Sequence, residues 1–198
     1  MGWTTYPSIT RRELIADILR GLNHENENSK LAVIAHCMVG NNMWGVCERT
    51  MKTGERAGEA YRFIVLYLIR RYGPDEWGYK DMDEDCGPNE VSCPLSYLDL
   101  APATTHLGEY SKAWRERVRQ HWEKQRTGRA LARTLKEGDK FQWGQRIITF
   151  CYRSGRNFVV GDSERGRFRY RITTIEPVGT PAESVVEPVV FKKEVVLA

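Results

Sequence analysis

Ten consecutive residues, Tyr61 to Arg70, constrain this chain more than any other stretch. Tyr61, Phe63, Val65, Tyr67 and Ile69 fall on one parity, and Ile64, Leu66 and Leu68 on the other. Side chains alternate across a strand, so a strand built from this run is apolar on both faces. Such a strand must lie inside a sheet and be covered from both sides. The chain therefore needs further strands to flank it and layers of structure above and below. Its 198 residues are enough for one domain, or for a medium domain and a small one.

The segments around the run supply candidates. Thr10-Arg11-Arg12-Glu13 fits a capping box, in which Thr10 satisfies a first-turn amide and Glu13 reaches back. Leu14, Ile15, Ile18, Leu19 and Leu22 follow at helical spacing, which predicts a helix over 10–22. Lys30–Val39 and Met43–Thr50 are strand-like and are separated by Gly40-Asn41-Asn42, so they form a predicted hairpin. Residues 72–106, with four prolines and three glycines, look irregular. A second helix is expected over 110–134, with Thr127-Gly128 as a candidate break. Trp114, Val118 and Trp122 share one of its faces.

After Thr134 the composition shifts to short strand candidates: 140–143, 146–152, 157–160 and 167–172, with one more possible over 189–197. The expected fold class is α+β: a helix on an antiparallel sheet in α-β-β-β-α order, followed by a small SH3-like β-barrel. The helix–strand–strand–strand–helix order resembles the double-stranded RNA-binding domain in topology, which transfers no function. The expected domains are 1–134 and 135–198.

Charge is unevenly spread. Residues 1–109 carry 11 Lys/Arg against 16 Asp/Glu, whereas residues 110–172 carry 17 against 6. That asymmetry suggests an anionic partner for the second stretch. The five cysteines are an odd number, and the start lacks a basic stretch followed by an apolar run. Reduced thiols and a cytoplasmic location are expected. No stretch has the length and apolarity of a membrane span, so no membrane partner is expected. The sequence says nothing of oligomeric state.

The densest motif is Trp77-Gly78-Tyr79-Lys80-Asp81-Met82-Asp83-Glu84-Asp85-Cys86-Gly87-Pro88, continuing to Cys93-Pro94 and Leu98-Asp99-Leu100. Asp81, Asp83 and Asp85 alternate. An extended backbone would point them to one side, where they could hold a divalent metal such as Mg²⁺ or Ca²⁺. The other reading makes them caps for helix starts, or partners for Lys80, Arg70 and Arg71. The EF-hand spacing fails, because its glycine and glutamate places hold Cys86 and Ser92. Cys86, Cys93 and His106 lack zinc-site spacing and a fourth ligand. His121-Trp122-Glu123 gives half of a zinc-deaminase pattern with no cysteine pair to complete it. No phosphate-binding glycine loop is present. No cofactor is therefore predicted beyond that metal, and no catalytic residue.

The segment 77–100, together with Gly2-Trp3-Thr4, resembles a family of uncharacterised proteins encoded by phages and other mobile elements. The likeness extends in arrangement over most of residues 1–125. It implies a setting among mobile-element genes, where DNA-handling proteins and inhibitors of host defence are common. It implies no catalytic role for any residue.

The basic set offers a contact surface. Lys112, Arg115, Arg119, Arg126, Arg129 and Arg133 lie on the second helix, and Arg153, Arg156, Arg167, Arg169 and Arg171 on the later strands. The last three alternate with Phe168, Tyr170 and Ile172, which puts a row of guanidinium groups on one strand face. Phe141, Trp143, Tyr152 and Phe158 are candidate stacking surfaces or core. The leading expectation is a non-enzymatic binding protein of a mobile element, contacting nucleic acid or a nucleoprotein complex. The alternatives are an inhibitor of a host defence system, with the acidic run as a nucleic-acid mimic, and a metal-dependent enzyme built on Asp81, Asp83 and Asp85.

Overall fold

A computed structural model describes residues 2–103 and 107–179. They form two compact units, Met1–His121 and Trp122–Ala198. The division falls within the helix that spans Glu109–Thr134.

The first unit is built on a six-stranded antiparallel sheet. Its strands are β1 (Thr4–Pro7), β2 (His24–Glu25), β3 (Ser29–Val39), β4 (Asn42–Met51), β5 (Ala60–Gly73) and β6 (Glu76–Asp83). They lie in the order β1-β6-β5-β4-β3-β2, and the sheet curls into a half-barrel. Gly40 and Asn41 close the β3–β4 hairpin, with Gly40 at φ +64, where side-chain-bearing residues rarely go. The apolar run lies in β5, between β4 and β6.

Both faces of β5 are covered. Helix α1 (Arg11–Leu22) starts at the Thr10 capping box and buries Leu14, Ile18 and Leu22. These meet Leu31, Met43, Cys47, Val65 and Ile69 on one side of the sheet. On the opposite parity Trp44, Val46, Ile64 and Leu66 are also buried. There Trp44 stacks on Trp114, with ring centroids 5.8 Å apart. Trp114 belongs to helix α3 (Glu109–Thr134), and the short helix α2 (Leu95–Leu100) buries Tyr97 and Leu98.

The second unit holds the end of α3 and a five-stranded antiparallel sheet. Its strands are β7 (Lys140–Trp143), β8 (Arg146–Ser154), β9 (Phe158–Ser163), β10 (Gly166–Arg171) and β11 (Glu176–Pro177), in the order β10-β9-β8-β7-β11. One face carries Phe141, Ile148, Phe150, Val159 and Tyr170, which pack with Ala132 of α3 and with Ile172 and Ile175. Helix α3 is continuous through Thr127-Gly128. A Cβ on Gly128 would stand 2.1 Å from the Ile172 carbonyl oxygen and 3.0 Å from that of Ile175. Gly128 therefore permits close approach of backbone to helix, at the ~1 kcal/mol that glycine costs inside a helix.

The α+β expectation is overturned. The chain is mostly antiparallel β, with three helices among the described residues. The first sheet has six strands where three were expected. Residues 76–83, read as irregular, form β6, which pairs with β5 and β1. Gly78 misleads here. A Cβ at that position would lie 2.6 Å from the Thr4 carbonyl oxygen, so this glycine marks a close approach of the paired strand β1 and no loop. The SH3-like barrel is likewise absent among the described residues. The second sheet is open, with β10 and β11 at its edges. A barrel buries its inner face by closing on itself. Here α3 covers that face, and β11 ends at Pro177, which has no N–H to extend the ladder. The tail strand expected over 189–197 lies outside the described residues.

Candidate nucleic-acid interface

The acidic motif is fastened, residue by residue, to structure within its own unit. Trp77 and Tyr79 on β6 pack against the α1 core, with the Arg11 guanidinium 5.9 Å from the Trp77 ring centroid. Gly78 gives β1 room. Lys80 pairs in register with Leu68, and exposed Asp81 with Tyr67. The Asp83 carboxylate accepts from the Cys86 N–H at 3.2 Å and so starts a single 3-10 turn, Glu84–Cys86. Gly87 ends that turn at φ +58. Asp85 accepts from the Ser111 hydroxyl and from the Gly108 N–H, placing a carboxylate at the positive start of α3.

Glu84 is 1 % exposed, as is Arg115. Its Oε1 accepts from the Ile64 N–H at 2.9 Å, extending the β5–β6 ladder by one side-chain bond. Arg115 donates to both carboxylate oxygens of Glu84 through Nε and Nη2, and to the Ala101 carbonyl at 2.6 Å through Nη1. Arg117 donates to the Pro88 carbonyl at 2.9 Å, and the Trp114 indole to the Glu90 carbonyl at 2.9 Å. Pro94 precedes α2, and Cys93 is fully buried.

Asp83 and Asp85 thus hold different backbone segments, and Asp81 stands exposed on β6. No group of three His, Cys, Asp or Glu residues converges on a metal-sized site among the described residues. The capping alternative describes Asp83 and Asp85. Burial pushes the Cys93 thiol well above its ordinary range and the Cys47 thiol up to about 11. Both stay protonated at neutral pH, unlike an activated nucleophile. Cys86 is exposed; His106 lies outside the described residues.

The basic residues of α3 are mostly engaged. Arg115 is a correction to the expected contact set: it is a core residue, sealed against Glu84, and unable to meet a phosphate. Lys112 pairs with Glu109, Arg119 with Glu116 and Arg126 with Glu123, each one turn away. Arg129 donates to Gln125. These exposed pairs are individually weak, but they lower the net field of the helix. Arg133 is exposed near the helix end.

The outer face of the second sheet differs. Its register sets three cross-strand rows: Arg167–Asp162–Thr149, Arg169–Val160–Tyr152 and Arg171–Phe158–Ser154. Arg167 binds Asp162 through two hydrogen bonds, 2.8 and 2.9 Å. Arg169 lies 4.4 Å over the Phe158 ring, in cation–π geometry. Arg153 is tied to the β8–β9 turn, donating to the Gly155 and Arg156 carbonyls. Arg156, Arg169 and Arg171 are exposed and have no carboxylate partner among the described residues. Tyr152, on β8 in the same cross-strand row as Arg169, is 54 % exposed, and Ile147 on the same face is 57 % exposed. Phe141 and Trp143 belong to the inner core instead. Spacing identified the arginine row; the bulge at Cys151, which turns Tyr152 onto this face, left no sequence signal.

No helix among the described residues is long and apolar enough to cross a membrane. Comparison with protein-family models, curated proteins and solved structures gave no match.

Proposed function

We propose that the chain is a non-enzymatic binding protein of a mobile element that contacts nucleic acid through the outer face of its second sheet. One observation carries this: Arg156, Arg169 and Arg171 stand exposed with no carboxylate partner among the described residues, and Arg169 shares a cross-strand row with half-exposed Tyr152. Residues 122–179 carry 13 Lys/Arg against 6 Asp/Glu, so a polyanion finds attraction at range as well as in contact. Arg169 and Arg171 sit two residues apart on one strand, so their Cα atoms are roughly 6.8 Å apart. Each can give forked hydrogen bonds to a phosphate. The resemblance of residues 77–100 to phage-encoded proteins supplies the setting. Defence inhibition by an acidic mimic gains no support from the motif, since Asp83, Glu84 and Asp85 are turned to internal partners.

The test is affinity for mixed-sequence DNA and RNA as a function of salt. Each phosphate contact contributes about 0.7–0.9 to the slope of log K against log salt. Replacing both arginines, Arg169→Gln with Arg171→Gln, is expected to flatten that slope by roughly 1.4 to 1.8. No binding at low salt, or an unchanged slope in the double variant, defeats the proposal.

A further inference from the structure

We infer that this face takes single-stranded nucleic acid, stacking bases on Tyr152 and on the Arg169–Phe158 pair; the inference rests on the nucleic-acid binding proposed above. Width is the first argument. Five strands at about 4.8 Å spacing place the outer strands roughly 19 Å apart. The major groove of a B-form duplex is about 12 Å wide and admits a helix or a two-stranded ribbon. The features in question run over three adjacent strands, β10, β9 and β8. A ligand that meets all three lies across the sheet face, and bases that stack on Tyr152 and on the Arg169–Phe158 pair must be turned out of any helix.

Side-chain chemistry is the second argument. Duplex phosphates take cations, amides and hydroxyls, and the face of an aromatic ring offers them nothing. Yet this face holds Tyr152, half open to solvent, beside Val160, which is only 4 % exposed, with Phe158 partly buried and Ile147 exposed farther along β8. Every base has a π-face, so such rings bind single strands with little regard to sequence. Arg169 adds a flat cation whose one side rests on Phe158 at 4.4 Å. Its other side is available to a base, since the residue is exposed. Arg171 and Arg156 flank these surfaces and would follow the sugar-phosphate backbone.

The full chain is titrated with four labelled ligands of equal length: mixed-sequence single-stranded DNA, the same sequence as RNA, the corresponding duplex, and an abasic strand that keeps the phosphates. Binding to the single strands is expected to be about ten-fold or more tighter than to the abasic strand, the size of one or two base stacks. The duplex is expected to bind more weakly than either single strand. Tyr152→Ala is expected to weaken single-strand binding about ten-fold and to leave abasic affinity and the salt slope unchanged; Tyr152→Phe keeps the affinity. A 2-aminopurine base in the strand is expected to change its fluorescence with wild type and less with Tyr152→Ala. Equal affinity for duplex and single strand, or no effect of Tyr152→Ala on any ligand, overturns the inference while salt-dependent binding still stands. No binding to any of the four ligands removes the inference and the proposed function together.

Discussion

Arg115 and Arg169 belong to the same basic stretch, yet the structure uses them in opposite ways. Arg115, on α3, is buried, with Nε and Nη2 committed to Glu84 and Nη1 to the Ala101 carbonyl. Arg169 lies on an exposed sheet face, against a ring and facing solvent. The acidic motif around Glu84 spends its charge on holding the first unit together. The outer face of the second sheet leaves much of its charge uncompensated. Net charge along the sequence therefore says little about use; the location of each partner decides it. A charge with a buried partner is architecture, and one without a partner is available for a ligand.

The largest expected effect is in the first region. Glu84→Ala leaves Arg115 buried without a carboxylate and removes the bond to the Ile64 N–H. Deleting one member of a buried pair costs about 3–5 kcal/mol. The denaturant midpoint should drop accordingly, while Asp81→Ala, at an exposed strand position, stays within about 0.5 kcal/mol. Equal effects of the two would mean that the motif is not the brace described here. Gly128→Ala comes next. Its methyl would collide with the Ile172 backbone oxygen, so the sheet must move off α3, at the upper end of the ~1–3 kcal/mol seen for overpacking. Thermal unfolding of the variant reads this directly; an unaffected or raised Tm would show that the approach is not tight.

The smallest effect concerns the one compensated arginine of the β10 row. The Arg167 guanidinium, bonded to both oxygens of Asp162, holds that carboxyl down from its usual 3.8 to about 2. A depressed folded pKa adds stability that is present above the unfolded value and fades as pH falls through about 2. The pair is exposed, so its share at neutral pH is small. In Arg167→Gln, NMR titration should show the Asp162 carboxyl moving back toward ordinary carboxylate values. An unmoved titration would mean that Arg167 is as open to a ligand as Arg171.

Local signals in the sequence were strong where local chemistry decides structure. The Thr10 box started α1, Gly40 closed the β3–β4 hairpin, and the doubly apolar run of β5 required cover on both sides. The short strands after Thr134 were legible through their alternation and glycine punctuation. What escaped were features fixed by distant partners. Gly78 and Gly128 look like breakers, and only the Thr4 and Ile172 oxygens explain them. Glu84 and Arg115 are 31 positions apart, and no spacing rule pairs them. The arginine row was visible as a period of two, but whether α3 or closure would cover the other face depended on packing that periodicity does not encode.

One side-by-side measurement tests the central contrast. Wild type, Glu84→Ala and the Arg169→Gln/Arg171→Gln double variant are each taken through chemical unfolding and through a low-salt titration with single-stranded nucleic acid. Glu84→Ala is expected to lose several kcal/mol of stability, with binding kept by the protein that remains folded. The double variant is expected to keep stability within about 0.5 kcal/mol of wild type and to show a clear loss of affinity. A double variant that unfolds as readily as Glu84→Ala, or that binds as tightly as wild type, would contradict that contrast.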